Sequence, residues 1–349
     1  MHIRKTLGLV AAALIAPSVS LTIFDQWEHG RVALKDVSIH FRYAGSGPPL
    51  LLIHGNPQHS LTWRIIGPIL AEKFTVIAPD NRGAGDSSLP PDGNYSAAAN
   101  AADLKGVLDF LNITSTYVFS HDKGVGFAAA LAAEHPSLVK RLGLSEYILP
   151  GFGYEDAAAP APYWDLYANW QLAFFSVPDA AEFFIRGREK EMLLWYFFHS
   201  SYSGTEAFSE ELVNRYASVI SKPGFLRSML GPFDVKAVAA DAALFKRVAA
   251  ERPLSMPTLV LGGEACLGPA MDQAFSAVAT QVEGDVVPKA GHWIADENPV
   301  WVARRVARFL EQDPAPIPDA DLSWLADRVT LTVGFYGTLG NAALAGAAS

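Results

Sequence analysis

Residues 50–53, Leu-Leu-Leu-Ile, are apolar at every position and lie between Gly45-Ser46-Gly47-Pro48-Pro49 and His54-Gly55-Asn56-Pro57. A half-buried strand alternates apolar with polar side chains, whereas a short run that is apolar throughout is a strand covered on both faces. Strand-like runs recur at 74–78, 116–120, 142–145, 258–261 and 284–287. Helical patterns separate them at 63–72, 97–111, 126–134 and 300–310. Strands that alternate with helices dictate an α/β architecture, a mainly parallel central sheet flanked by helices. Two further strands, over 32–39 and 40–44, are expected to precede it.

One segment breaks the alternation. From 151 to about 240 the pattern is helical and aromatic-rich, with Trp164, Trp170, Phe174, Phe175, Trp195, Phe197 and Phe198, and no strand-like run interrupts it. The expected organisation is therefore a core made of 31–150 and 241–312, with 151–240 inserted as a helical lid. Such a lid covers the carboxyl ends of the strands, where sites form in open α/β sheets. Residues 313–349 form a C-terminal extension of unassigned role. At the other end, basic His2, Arg4 and Lys5 precede an apolar stretch and small residues up to Ser20, so 1–20 read as a signal peptide of an exported protein.

Composition narrows the function. A 349-residue chain that is 50% hydrophobic and 18% charged buries a large core and is not disordered. A net charge of −9 argues against a nucleic-acid partner. A single cysteine, Cys266, excludes an intramolecular disulfide framework and a cysteine-based zinc cluster, and it is set aside from catalysis. No cofactor, metal or stable membrane span of the mature chain is implied; the expected partner is a small-molecule substrate.

Ser120-His121-Asp122-Lys123-Gly124 joins a strand to a helix. This is the small-x-nucleophile-x-small elbow with aspartate in the nucleophile's place. Taken alone, Asp122 suits equally a strand-ending residue that caps a helix. Two other features make an enzyme of it. Gly291-His292-Trp293 follows the last strand, and Glu146 ends the strand after the elbow. Nucleophile, acid and histidine thus stand in the chain order of a Ser/Asp-type triad, each at a strand's carboxyl end.

His54-Gly55-Asn56-Pro57, Asp80-Asn81-Arg82-Gly83-Ala84-Gly85-Asp86-Ser87, His121-Asp122-Lys123-Gly124 and Gly291-His292-Trp293 together resemble the α/β-hydrolases with an aspartate nucleophile: epoxide hydrolases, haloalkane dehalogenases and haloacetate dehalogenases. The resemblance spans 31 to about 312. Ser200-Ser201-Tyr202-Ser203-Gly204, Phe208-Ser209-Glu210-Glu211 and Ser221-Lys222-Pro223 are similar to secreted bacterial epoxide hydrolases of the chloride-channel inhibitory factor subfamily. The resemblance implies Asp122 as nucleophile, His292 as base and Glu146 as the acid that orients it. It also implies an oxyanion hole from the backbone N–H groups of Asn56 and Lys123.

A carboxylate nucleophile suits displacement at saturated carbon through an alkyl ester, which water activated by His292 then hydrolyses. Nothing in the triad names the leaving group. Trp170, Gln171, Phe233 and His54 are expected to face the substrate, but Gln171 and Phe233 stand where the related epoxide hydrolases carry proton-donating lid residues. Tyr163, Tyr167, His199 and Tyr202 are candidate replacements. For a dehalogenase, the Asn56 amide would hold a halide and Lys123 would hold a carboxylate. Lys123 has a simpler role open to it, neutralising Asp122 or pointing to solvent. A ligand-binding pseudoenzyme of the same fold is the remaining alternative.

Overall fold

The computed structural model describes residues 23–158, 162 and 166–326. The expected signal peptide at 1–20, Tyr163, Trp164, the Tyr167 side chain and residues 327–349 lie outside the described residues.

Eight strands form one sheet: β1 (Glu28–Ala33), β2 (Ser38–Ala44), β3 (Pro49–Ile53), β4 (Thr75–Pro79), β5 (Thr116–His121), β6 (Val139–Ser145), β7 (Thr258–Gly263) and β8 (Val282–Val287). Their order across the sheet is β1-β2-β4-β3-β5-β6-β7-β8. β1 and β2 run antiparallel to each other, and β2 runs antiparallel to β4. All remaining pairs are parallel. The first two strands differ from the sequence expectation. Lys35-Asp36 forms the turn between them, closed by the Leu34 N–H to the Val37 carbonyl at 2.8 Å, so each strand begins earlier or ends sooner than the apolar pattern suggested.

The apolar run at 50–53 behaves as its pattern demands. Leu50 and Leu52 join one core with Val76, Phe119, Trp63 and Phe309, whereas Leu51 and Ile53 join the other with Ile77, Val118, Leu104 and Leu131. The helix expected over 63–72 is instead a 3-10 turn, Ser60–Arg64, followed by the short helix Ile66–Leu70. Pro68 falls in the first turn of that helix, where its missing N–H deprives no hydrogen bond.

Between β6 and β7 the described residues form helices and the turns that join them, with no strand. Its last helix, Val235–Glu251, runs straight through the boundary expected at 240–241. Leu244, Phe245 and Val248 pack into the core beneath the sheet, and Asp241 accepts a 2.7 Å bond from the N–H of Ala97. That helix therefore belongs to the core layer along most of its length. The lid is tied down by aromatic rings. Phe197 stacks on Phe208 with centroids 4.2 Å apart and meets Trp293, the neighbour of His292, edge-on at 4.8 Å.

The first part of the extension is docked. Ile317, Leu322 and Leu325 are buried, Trp324 packs on Phe110 at 5.6 Å, and the Ala320 N–H donates to the Gly47 carbonyl.

Phe197 is fully buried, so truncating it leaves a cavity between lid and core. Phe197→Ala is expected to lower the unfolding free energy by about 3–5 kcal/mol, read from guanidinium denaturation followed by tryptophan fluorescence.

Candidate active site

The site grows from the turn at the end of β5. Asp122 has φ 50° and ψ −134°, a left-handed conformation that costs a non-glycine residue about 1–3 kcal/mol. The conformation lifts the carboxylate off the sheet at the start of the helix Lys123–Glu134. Two glycines make the turn possible. A Cβ on Gly124 would stand 2.5 Å from the His54 carbonyl oxygen, and one on Gly55 would stand 2.4 Å from Asp122 itself. The ends of β3 and β5 can approach this closely only without those side chains.

Asp122 is buried and its two oxygens have different surroundings. Oδ1 accepts a 2.7 Å hydrogen bond from the Asn56 backbone N–H. Oδ2 lies 3.4 Å from His292 Nε2. His292 Nδ1 is 3.1 Å from Glu146 Oε2. Glu146 is fixed in turn, because its Oε1 accepts from the N–H groups of Gly263 at 2.6 Å and Leu267 at 3.2 Å. It also sits at positive φ, 56°. The structure thus brings Asp122, His292 and Glu146 into one chain of contacts, with each carboxylate anchored by backbone donors on the side away from the imidazole.

The charges follow from this geometry. Burial works to raise Asp122, but the His292 hydrogen bond and charge, aided by the Lys123 backbone N–H, hold the carboxyl below its ordinary value. Burial likewise opposes charge on His292, and hydrogen bonds to Asp122, Cys266 and Glu146 outweigh it, so the imidazole titrates well above its ordinary value. The resting pair is carboxylate and imidazolium. The neighbouring His121 is pushed down to about 3, by burial first and by His292 second, and stays neutral.

A cavity of about 150 Å³ opens over Asp122, lined among others by Lys123, Tyr147, Tyr154, Tyr196, Phe233 and His292. Gln171 and Leu172 reach it from the lid. Five expectations for its lining require correction. His54 is fully buried outside the cavity, its Nε2 accepting from the Asn81 N–H at 2.9 Å and its Nδ1 lying 2.8 Å from the Gly55 carbonyl. It braces the Asp80-Asn81 loop. Trp170 is 37% exposed and packs on Trp195 and Phe174 away from Asp122. The Asn56 amide donates to the Met229 carbonyl at 2.7 Å, so only its backbone N–H meets Asp122. His199 stacks on Trp195 and Tyr202 is half exposed, and neither is among the residues that line the cavity.

Lys123 differs most from expectation. It is 3% exposed and forms no ion pair with Asp122. Its Nζ donates to the hydroxyls of Tyr147 at 3.1 Å and Tyr154 at 3.2 Å. The same ammonium lies 4.2 Å from the Tyr154 ring and 4.5 Å from the Phe233 ring. Burial lowers it to about 8 against the pull of Asp122 and Asp241. Sequence reasoning missed Tyr147, Tyr154 and Tyr196. Tyr147 directly follows Glu146 at a strand end and was within reach, whereas Tyr154 lies beyond a glycine-rich turn with no pattern to place it.

Cys266, set aside from the sequence, lines the same cavity, and its sulfur shares a 4.8 Å neighbourhood with ligand atoms of Glu146 and His292. A second metal-capable group, His40, Asp80 and Asp86, lies elsewhere. In it Asp80 already accepts from the N–H groups of Ser60 and Asp86 and pairs with His40.

Residues 48–299 match the sequence model of the alpha/beta hydrolase fold. The chain is 33% identical over 284 residues to the soluble epoxide hydrolase of Corynebacterium sp. (strain C12), covering 80% of this chain and 96% of that protein. It is 35% identical over 157 residues to the fluoroacetate dehalogenase of Burkholderia sp., covering 43% of this chain and 52% of that protein. Among solved structures, Cfl2 from Burkholderia cenocepacia superposes with a TM-score of 0.76 at 32% identity, over 80% of this chain and 95% of that one.

Removing the charge of Glu146 removes one of the bonds that raise His292. In Glu146→Gln the imidazole is therefore expected to titrate at lower pH than in the parent, a shift read from the ring Cε1 resonance of labelled histidine during a pH titration.

Proposed function

The chain belongs to the alpha/beta hydrolase fold family and is a hydrolase, and from that premise we propose that it opens epoxides through an ester of Asp122. The observation that carries this reading is the division of labour between the two oxygens of Asp122. Oδ1 is held by the Asn56 N–H, while Oδ2 faces His292 at the cavity. Oδ2 is thus the oxygen that attacks a ring carbon, and the C–O bond of the oxirane breaks as the ester forms.

Alkylation then removes the negative charge that stabilises the imidazolium. The raised titration of His292 depends on Asp122, so the imidazole loses its proton readily once the ester is made. Glu146 keeps the ring oriented, and the neutral Nε2 takes a proton from water as the water attacks Cγ. The negative charge on the former Oδ1 collects where the Asn56 N–H already points. Collapse frees the diol and restores the carboxylate.

The relatives that share most of this chain's length include a named epoxide hydrolase, which supports the same substrate class here. A cavity of about 150 Å³ suits a small substrate, since an apolar space of that size accommodates a benzene-sized ligand. Displacement of halide is the second reading, favoured by the Lys123 ammonium in the cavity and by the similarity to the fluoroacetate dehalogenase. The Asn56 amide no longer favours it, being engaged with Met229. A pure binding protein would have no use for a buried Asp122–His292 pair. The basic and apolar pattern of residues 1–20 supports export of the enzyme.

His292→Gln mixed with 1,2-epoxyhexane is expected to accumulate an ester on the peptide containing Asp122, detected as the added mass of the epoxide, while the parent enzyme releases the diol. Absence of both adduct and diol would overturn the reading. Bromide released from 1-bromohexane, or fluoride from fluoroacetate, with no diol from any epoxide, would assign the site to halide displacement instead.

A further inference from the structure

Opening an oxirane by a carboxylate leaves an alkoxide, which is far too basic to form unaided in a buried cavity. Gln171 and Phe233, which stand at the cavity where lid acids were expected, carry no dissociable proton suited to the task. The cavity is also lined by the phenols of Tyr147, Tyr154 and Tyr196, and of these Tyr147 and Tyr154 accept from the Lys123 ammonium.

We propose, building on the epoxide reading, that Tyr154 is the catalytic acid that protonates the leaving oxygen, and that Lys123 is the positioning residue and proton reservoir behind it. Tyr147, Tyr154 and Lys123 line the cavity that holds Asp122. The Lys123 ammonium donates to both phenol oxygens. An oxygen that accepts from the ammonium turns its own proton away from it, and each phenol borders the cavity. Tyr154 is the more closely coupled of the two, because the ammonium lies 4.2 Å from its ring centroid against 5.1 Å for Tyr147, and after burial the charge of Asp122 is the leading influence on its hydroxyl. The aromatic ring of Phe233, at the lid position from which an acid was expected, covers the ammonium at 4.5 Å.

The proton count closes. As Asp122 Oδ2 bonds to carbon and the C–O bond breaks, the leaving oxygen takes the Tyr154 proton, and Tyr154 takes one from Lys123 Nζ. Lys123 is left neutral, a state within reach because burial lowers it to about 8. Ester hydrolysis then leaves the extra proton of water on His292. That proton restores the imidazolium lost on alkylation, Lys123 regains from solvent the proton that His292 released there as the ester formed, and the cycle consumes only epoxide and water.

Rapid-quench single turnovers with 1,2-epoxyhexane, analysed by mass spectrometry of the Asp122 peptide, separate ester formation from ester hydrolysis. Tyr154→Phe and Lys123→Met are each expected to slow ester formation ~10²-fold and to leave hydrolysis of the ester unchanged, with Tyr147→Phe less affected than either. In the parent, ester formation is expected to decline as the pH rises past about 8, and Lys123→Met removes that decline. The titratable groups facing Lys123 are Asp122, Tyr147, Tyr154 and Asp241. Unchanged ester formation in Tyr154→Phe, an equal fall in both steps, or a larger effect at Tyr147 would overturn the assignment. A Lys123→Met enzyme altered only in its KM for epoxides bearing a carboxylate would overturn it too. Failure of the parent itself to form any ester would instead strike the epoxide reading.

Discussion

Everything catalytic in this molecule hangs on how closely the end of β3 approaches the turn after β5. The approach puts the Asn56 N–H 2.7 Å from Asp122 Oδ1, and Gly55 and Gly124 are the residues that let it happen. The strained backbone at Asp122 is stable only because the sheet on both sides is fixed by packed cores. Glu146, one strand over, repeats the device with a positive φ of its own. Two side chains are thereby presented at the rim by strained backbone, and both then face the same imidazole.

That imidazole is the point at which the lid and the catalytic machinery meet. Trp293 follows His292 and is enclosed by Tyr196, Phe197 and Phe208 from the lid. The His292 N–H donates to the Ser200 carbonyl, so this residue is anchored to the lid through its backbone as well. Motion of the lid and position of the base are therefore linked by packing rather than by a flexible loop.

The fold was largely legible from the strand and helix alternation, and so was the order of Asp122, Glu146 and His292, because a strand's end is a place that sequence pattern can find. Side-chain directions were not legible. Lys123, Asn56 and Trp170 were each identified as residues worth placing, yet their atoms turn towards Tyr154, Met229 and Trp195, partners separated from them by 25 or more positions. Burial decides such directions: an ammonium enclosed by aromatic rings finds phenol oxygens, and an amide beneath a lid finds a backbone carbonyl. Tyr154 escaped notice for a related reason. It enters the cavity from the turn after Gly153, where no periodicity announces which way a residue faces.

The docked extension has a practical side. Gly47, Thr75 and Tyr117 lie at the amino ends of β3, β4 and β5, and Ala320 and Asp313 bind them there. The chain past the last core helix is thus led beneath the sheet, on the face opposite the catalytic rim, before it reaches Ala326. A carrier, an affinity handle or a surface tether joined on that side would hang from the floor of the enzyme and leave its mouth open to solvent.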